Sequence, residues 1–173
     1  MDRRVLAIVF TLALVAPNVF AQDQAQDQSQ VWTFDSIRPD GQQDTSACAQ
    51  DDLEVYAVLN KMIALWNAKD LDNYLDLFWR SDGLLVVEDG LEVIGWKRLR
   101  QTYLNSYPDR TRMGLATLER VKIMQLAPGL AQALCWWSID AAGRKSYSTD
   151  TSIFQKFSDG WKAISVHATF IQP

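Results

Sequence analysis

Between Thr117 and Phe170 four long apolar runs follow one another with almost no chain between them: Leu118–Leu126, Leu130–Ile139, Ser146–Phe157 and Trp161–Ile171. Each is rich in β-branched and aromatic residues, which suit a pleated, half-buried surface. The connections are Ala127-Pro128-Gly129, Asp140-Ala141-Ala142-Gly143 and Ser158-Asp159-Gly160, and turns this short join antiparallel neighbours. A twisted meander of this size has one face too apolar for water, so helices from the upstream half are expected to cover it in an α+β domain.

The upstream half supplies them. Asp51 reads as an N-cap with Glu54 three residues on, and Val55, Val58, Leu59, Met62, Ile63 and Trp66 recur at helical spacing. Asp70 is expected to cap a second, short helix carrying Leu71, Tyr74, Leu75, Leu77 and Phe78. Asp89-Gly90 between Leu84–Glu88 and Leu91–Ile94 marks a hairpin, and a third helix runs from Trp96 to Ser106 before Pro108. A curved, largely antiparallel sheet wrapped around the long first helix makes a cone, whose open end is where a small-molecule pocket is expected.

Residues 1–21 have the form of a signal peptide: Arg3-Arg4, an apolar run from Val5 to Val15, and Val19-Phe20-Ala21 before the cleavage point. The apolar run falls short of the roughly 20 residues a spanning helix needs. Export to the periplasm or medium, without stable membrane insertion after cleavage, is therefore expected. Residues 22–50 are expected to be a flexible leader and linker, within which Val31-Trp32-Thr33-Phe34 could add a short strand, and 51–173 the folded domain. The formal net charge is −4 and no basic stripe stands out, which argues against nucleic acid as a partner. One His and no Cys-x-x-Cys or His-Glu-x-x-His pattern argue against zinc; no metal and no cofactor is expected. Cys48 and Cys135 could form a disulfide in an oxidising compartment, or Cys135 could be a small buried hydrophobe.

Leu65-Trp66-Asn67-Ala68-Lys69-Asp70-Leu71-Asp72 with Leu77-Phe78, Asp89-Gly90 with Val93-Ile94-Gly95-Trp96, and Asp159-Gly160-Trp161-Lys162 before a last strand containing His167 together resemble the nuclear transport factor 2-like superfamily, and within it the SnoaL-like branch. The likeness spans roughly Leu53 to Phe170. It implies the cone fold, but its relatives include isomerases, cyclases, dehydratases and binding modules. Ketosteroid-isomerase chemistry needs an Asp base and a Tyr with a protonated Asp at the oxyanion. Here Met62 stands at the position of that Tyr, and Asp89, which copies a Val-Glu-Asp motif, falls in a turn.

Two residues are candidates for proton transfer. Asp150, embedded in a strand-like run, would be desolvated if it faced inward and merely solvated if outward; the parity of its strand leaves this open. His167 alternates with Val166 and Ala168, so it is expected to face away from the helices, toward a homodimer contact that would also take Trp136 or Trp137. Pocket lining is expected from Met62, Trp66, Tyr103, Trp137 and Phe170. Three functions stay open: a binder of a small apolar or aromatic molecule, an isomerase, dehydratase or cyclase using Asp150 or His167, and a partner-binding dimer module.

Overall fold

The computed structural model describes residues 35–36 and 47–171, which belong to one compact unit. The expected signal peptide and most of the expected leader lie outside the described residues. Two pieces of the 22–50 segment do not. β1 (Asp35–Ser36) pairs in parallel with Lys122 and Ile123, and α1 runs Ala47–Asn67 rather than starting after Asp51. Both have physical reasons. β1 covers a strand that would otherwise be the open edge of the sheet. Asp51 and Glu54 do not cap their own helix; they receive Lys156 Nζ at 2.9 and 2.7 Å, and Trp161 Nε1 donates to Glu54 at 2.9 Å.

α1 ends in a Schellman motif. Lys69 has φ +64°, its N–H donates to the Trp66 carbonyl, and the Asp70 N–H reaches the Leu65 carbonyl. A non-glycine residue is held there because Lys69 Nζ donates to the Gly114 carbonyl. Asn67 donates to the Ala116 carbonyl at 2.9 Å and accepts from the Ala116 N–H at 2.7 Å, tying the helix end to the sheet. Asp70 caps α2 (Leu71–Leu75) by accepting from the Asn73 N–H.

β2 (Leu85–Glu88) and β3 (Leu91–Ile94) form the expected hairpin, α3 spans Trp96–Ser106, and a 3-10 turn follows at Arg110–Met113. The meander is β4 (Leu115–Ala127), β5 (Leu130–Ala141), β6 (Arg144–Phe157) and β7 (Gly160–Ile171). The sheet order is β1-β4-β5-β6-β7-β2-β3, with β2 parallel to β7. Extra residues break the ladder near Glu119 in β4 and at Ile164 in β7, and such bulges deepen a sheet's curl.

α1 packs across β4 and β7. At one end of the cone Ala131, Ala133, Phe154 and Ala163 are fully buried beneath the helices. Toward the other end the same inner face carries Leu118 and Trp137, which are half-buried, and Phe170, 39% exposed. The cone is therefore filled at one end and open at the other. Cys135 is a free thiol with no exposure, as the small-hydrophobe alternative expects, and the side chain of Cys48 lies outside the described residues.

Candidate functional site

The unbroken alternation of β6 from Ser148 to Phe154 settles the parity that the sequence leaves open, and the bulge at Ile164 lets β7 follow it. Trp161 and Ala163 face inward before it, Ala168 after it, and the partner strand β6 keeps Ser148, Ser152 and Phe154 buried on the same side. Asp150 shares that side. His167 pairs with Thr151 and Val87 on the opposite face and is exposed. As a proton-transfer candidate inside the cone His167 is thus corrected: alternation turns its ring outward.

One row across the sheet defines the site. Glu88 of β2 lies opposite Ala168 of β7, and Ala168 lies opposite Asp150 of β6, which in turn neighbours Cys135 of β5. Register partners share a face, so both carboxylates point into the cone. Their backbones are two strands apart, about 9–10 Å, and the one side chain between them is the methyl of Ala168. Ser148 Oγ donates to Asp150 at 3.0 Å. Trp137, opposite Ser148, stands half-buried on the same inner face, and its buried indole N–H has no hydrogen-bond partner among the described residues.

Across from the carboxylates α1, α2 and α3 present rings. Trp66 meets Tyr74, Tyr103 and Tyr107 edge-on at centroid distances of 5.4, 6.4 and 5.3 Å. Its N–H donates to the Met113 carbonyl at 3.0 Å, so the ring is clamped at both ends. Tyr103 and Tyr74 lie 6.0 Å apart, and the Tyr103 hydroxyl donates to Glu88 Oε1 at 3.1 Å.

Burial pushes Asp150 up to about 7; the Ser148 hydrogen bond opposes this and the charge of Glu88 adds to it. Glu88 is also raised, by burial first, against the Tyr103 hydrogen bond. Tyr74, Tyr103 and Tyr107 are all pushed up by burial and then by the charge of Glu88, so their hydroxyls stay protonated. The arrangement is one acid, Asp150, that can carry or lose a proton near neutral pH and a second, Glu88, raised by burial, facing four rings at the open end of a cone. Asp89 sits at the exposed hairpin turn with φ +49° and accepts from the Phe170 N–H at 2.8 Å, pinning the hairpin to β7.

Of the five expected lining residues, the structure brings Trp66, Tyr103 and Trp137 to this site. Phe170 stands at its rim, opposite Ser148. Met62 lies within the buried core. Sequence reasoning missed Glu88, Tyr74 and Tyr107. A signal for Glu88 existed: Leu84 and Val86 are its same-face neighbours, and a charge on the apolar parity of a strand is anomalous. A separate cleft of about 380 Å³ is lined by Asp76, Trp79, Arg80, Phe157, Asp159 and Lys162. Its charges satisfy one another, Arg80 with Asp76 and Lys162 with Asp159.

No family model and no curated protein matches the sequence. Solved structures do match. An NTF-2-like protein of unknown function from Shewanella oneidensis MR-1 superposes with a TM-score of 0.63 at 22% identity, over 71% of this chain and 99% of its own. A candidate dehydratase from the NTF2-like family, from Streptomyces avermitilis, gives 0.61 at 16% identity over 73% and 100%. A candidate ketosteroid isomerase from Parabacteroides distasonis ATCC 8503 gives 0.55 at 15% identity over 69% and 86%. At these identities the likeness carries the fold and not the branch within it.

Proposed function

For a chain with the nuclear transport factor 2-like fold, we propose that the open end of the cone binds a small molecule with an apolar or aromatic body and moves a proton on it through Asp150 and Glu88. The observation that carries this is the pair of inward carboxylates on either side of Ala168, both held toward their protonated forms. A base is most useful when its pKa lies near the working pH. Asp150, ionised, takes a proton from a carbon beside a carbonyl and returns it to another atom of the same molecule. Glu88, raised by burial and held by the Tyr103 hydroxyl, is the second acid on which the moving proton can rest. Isomerases and dehydratases work this way, and two of the structural neighbours are candidates for those activities. Residues 1–21, which have the form of a signal peptide, support a place of work outside the cytoplasm.

The probe is 2-tetralone in deuterium oxide. The protein is expected to speed exchange of the hydrogens beside the carbonyl, and Asp150→Asn to lose about 100-fold of that rate. Exchange no faster than in buffer, or undiminished in Asp150→Asn, would remove the proton-transfer role.

A second copy of the chain is proposed to cover the outer face of the sheet. Leu85 and Ile94 are cross-strand partners there, 37% and 49% exposed, and the face continues through Ser165, His167, Thr169 and Trp136 instead of the charges of a solvated sheet. Arg120 stacks on Trp136 at 4.0 Å. Sedimentation velocity is expected to show a homodimer that Leu85→Asp converts to a folded monomer. A wild-type monomer at all concentrations would contradict it.

A further inference from the structure

Resting on that reading of the site, we propose that the molecule it takes is a cation: a ring-sized apolar body bearing a protonated amine, seated with its nitrogen between Glu88 and Asp150. Among the described residues no salt bridge reaches either acid. The groups facing Asp150 and Glu88 are Tyr74 from α2, Tyr103 and Tyr107 from α3, Cys135 and Trp137 from β5, Ser148 from β6 and Asp89 at the hairpin turn; β7 contributes only Ala168. Among the charges that act on the two carboxylates there is no Lys or Arg.

Elsewhere several acids meet a cation. Lys156 meets Asp51 and Glu54, Arg100 meets Asp72 and Lys145 meets Glu119. Lys156 and the Trp161 N–H hold Glu54 below the usual carboxylate range, the opposite of what happens to Glu88 and Asp150. The interior pair is short of one positive charge, and only a proton or a ligand can supply it. The rings add to this. Trp66, Tyr74, Tyr103 and Tyr107 carry negative potential on their faces, and aromatic rings with carboxylates form the usual receptacle of an ammonium group. An anion would meet two repelling acids, and a neutral molecule would leave their mutual repulsion in place.

The inference also connects binding to chemistry. A cation beside Asp150 stabilises its ionised form, so binding and loss of the Asp150 proton are coupled. Binding then displaces a proton, and affinity for a fixed cation falls by up to tenfold for each pH unit below about 7.

Benzylamine, benzyl alcohol and benzoate have one shape and three charges. Calorimetry and thermal shift with the full chain at pH 8 are expected to show benzylamine bound at least about tenfold tighter than benzyl alcohol, equivalent to about 1.4 kcal/mol, and benzoate not bound. The preference for the amine should shrink at pH 6, where benzylamine is still protonated, and vanish in Glu88→Gln/Asp150→Asn. If that double variant does not fold, the pH dependence of the wild-type preference is the deciding measurement. Benzyl alcohol binding as tightly as benzylamine at pH 8, or a preference that does not change with pH, would overturn the cationic ligand and leave the small-molecule site standing. Failure of all three to bind would overturn both.

Discussion

Replacing Trp66 by alanine is expected to cost about 3–5 kcal/mol of stability, the range for emptying a buried aromatic site. The ring is 6% exposed and lies at the junction of α1, α2 and α3. Its removal takes away the edge-on contacts with Tyr74, Tyr103 and Tyr107, worth about 0.5–1.5 kcal/mol each beyond the area they bury. It also leaves the Met113 carbonyl without its indole donor, a further cost of about 1–3 kcal/mol if water does not reach it. Trp66→Phe keeps much of the volume and loses only the N–H, so it should cost less than half as much. Denaturant unfolding measures both. A loss below about 1 kcal/mol for Trp66→Ala would show that the ring is not enclosed and that the three helices are not held together through it.

Asp150→Asn is expected to do the opposite and stabilise the protein above neutral pH. The folded-state pKa is about 7 against an ordinary value of 3.8. Between those values the native state keeps a proton that the unfolded chain has released, so wild-type stability falls as pH rises from about 4 to about 7 and is level beyond. At about 1.4 kcal/mol per pKa unit, and allowing for the partial exposure of the group, the loss is about 2–4 kcal/mol. The asparagine cannot ionise and escapes it. The gain from Asp150→Asn should therefore be largest at pH 8 and absent near pH 4, read from unfolding curves at both. A variant less stable than wild type at pH 8 would mean that the carboxylate is satisfied where it stands.

The meander was legible because its turns are local chemistry. Asp159-Gly160 and Ala127-Pro128-Gly129 place strand ends within a residue or three of where they lie, and the third helix occupies Trp96–Ser106 as its spacing predicts. The start of α1 was not legible. Asp51 and Glu54 have the spacing of a capping box, and nothing nearby in sequence shows that their partner is Lys156 on β6, 105 residues from Asp51. The inward turn of Asp150 follows from the unbroken alternation of β6 with the buried Phe154, and the one inserted residue, Ile164, sets the facing of the later part of β7 instead. Ile153 and Phe154 are both apolar, so the sequence of β6 alone could not decide which face Asp150 takes. Glu88 needed the parallel register of β2 on β7, a pairing between segments some eighty residues apart. The rings were legible as core and not as a wall facing acids, because Tyr74, Tyr103 and Tyr107 meet only when α2 and α3 close over the sheet.

The account turns on whether a carboxylate inside the cone carries its proton near neutral pH and gives it up to a cation. Carbon-13 NMR of the aspartate carboxyl groups, assigned by comparison with Asp150→Asn, follows that proton directly. The Asp150 signal is expected to titrate with a midpoint near 7 in the free protein and to move to lower pH on addition of benzylamine. A midpoint in the ordinary range near 4 would contradict the account.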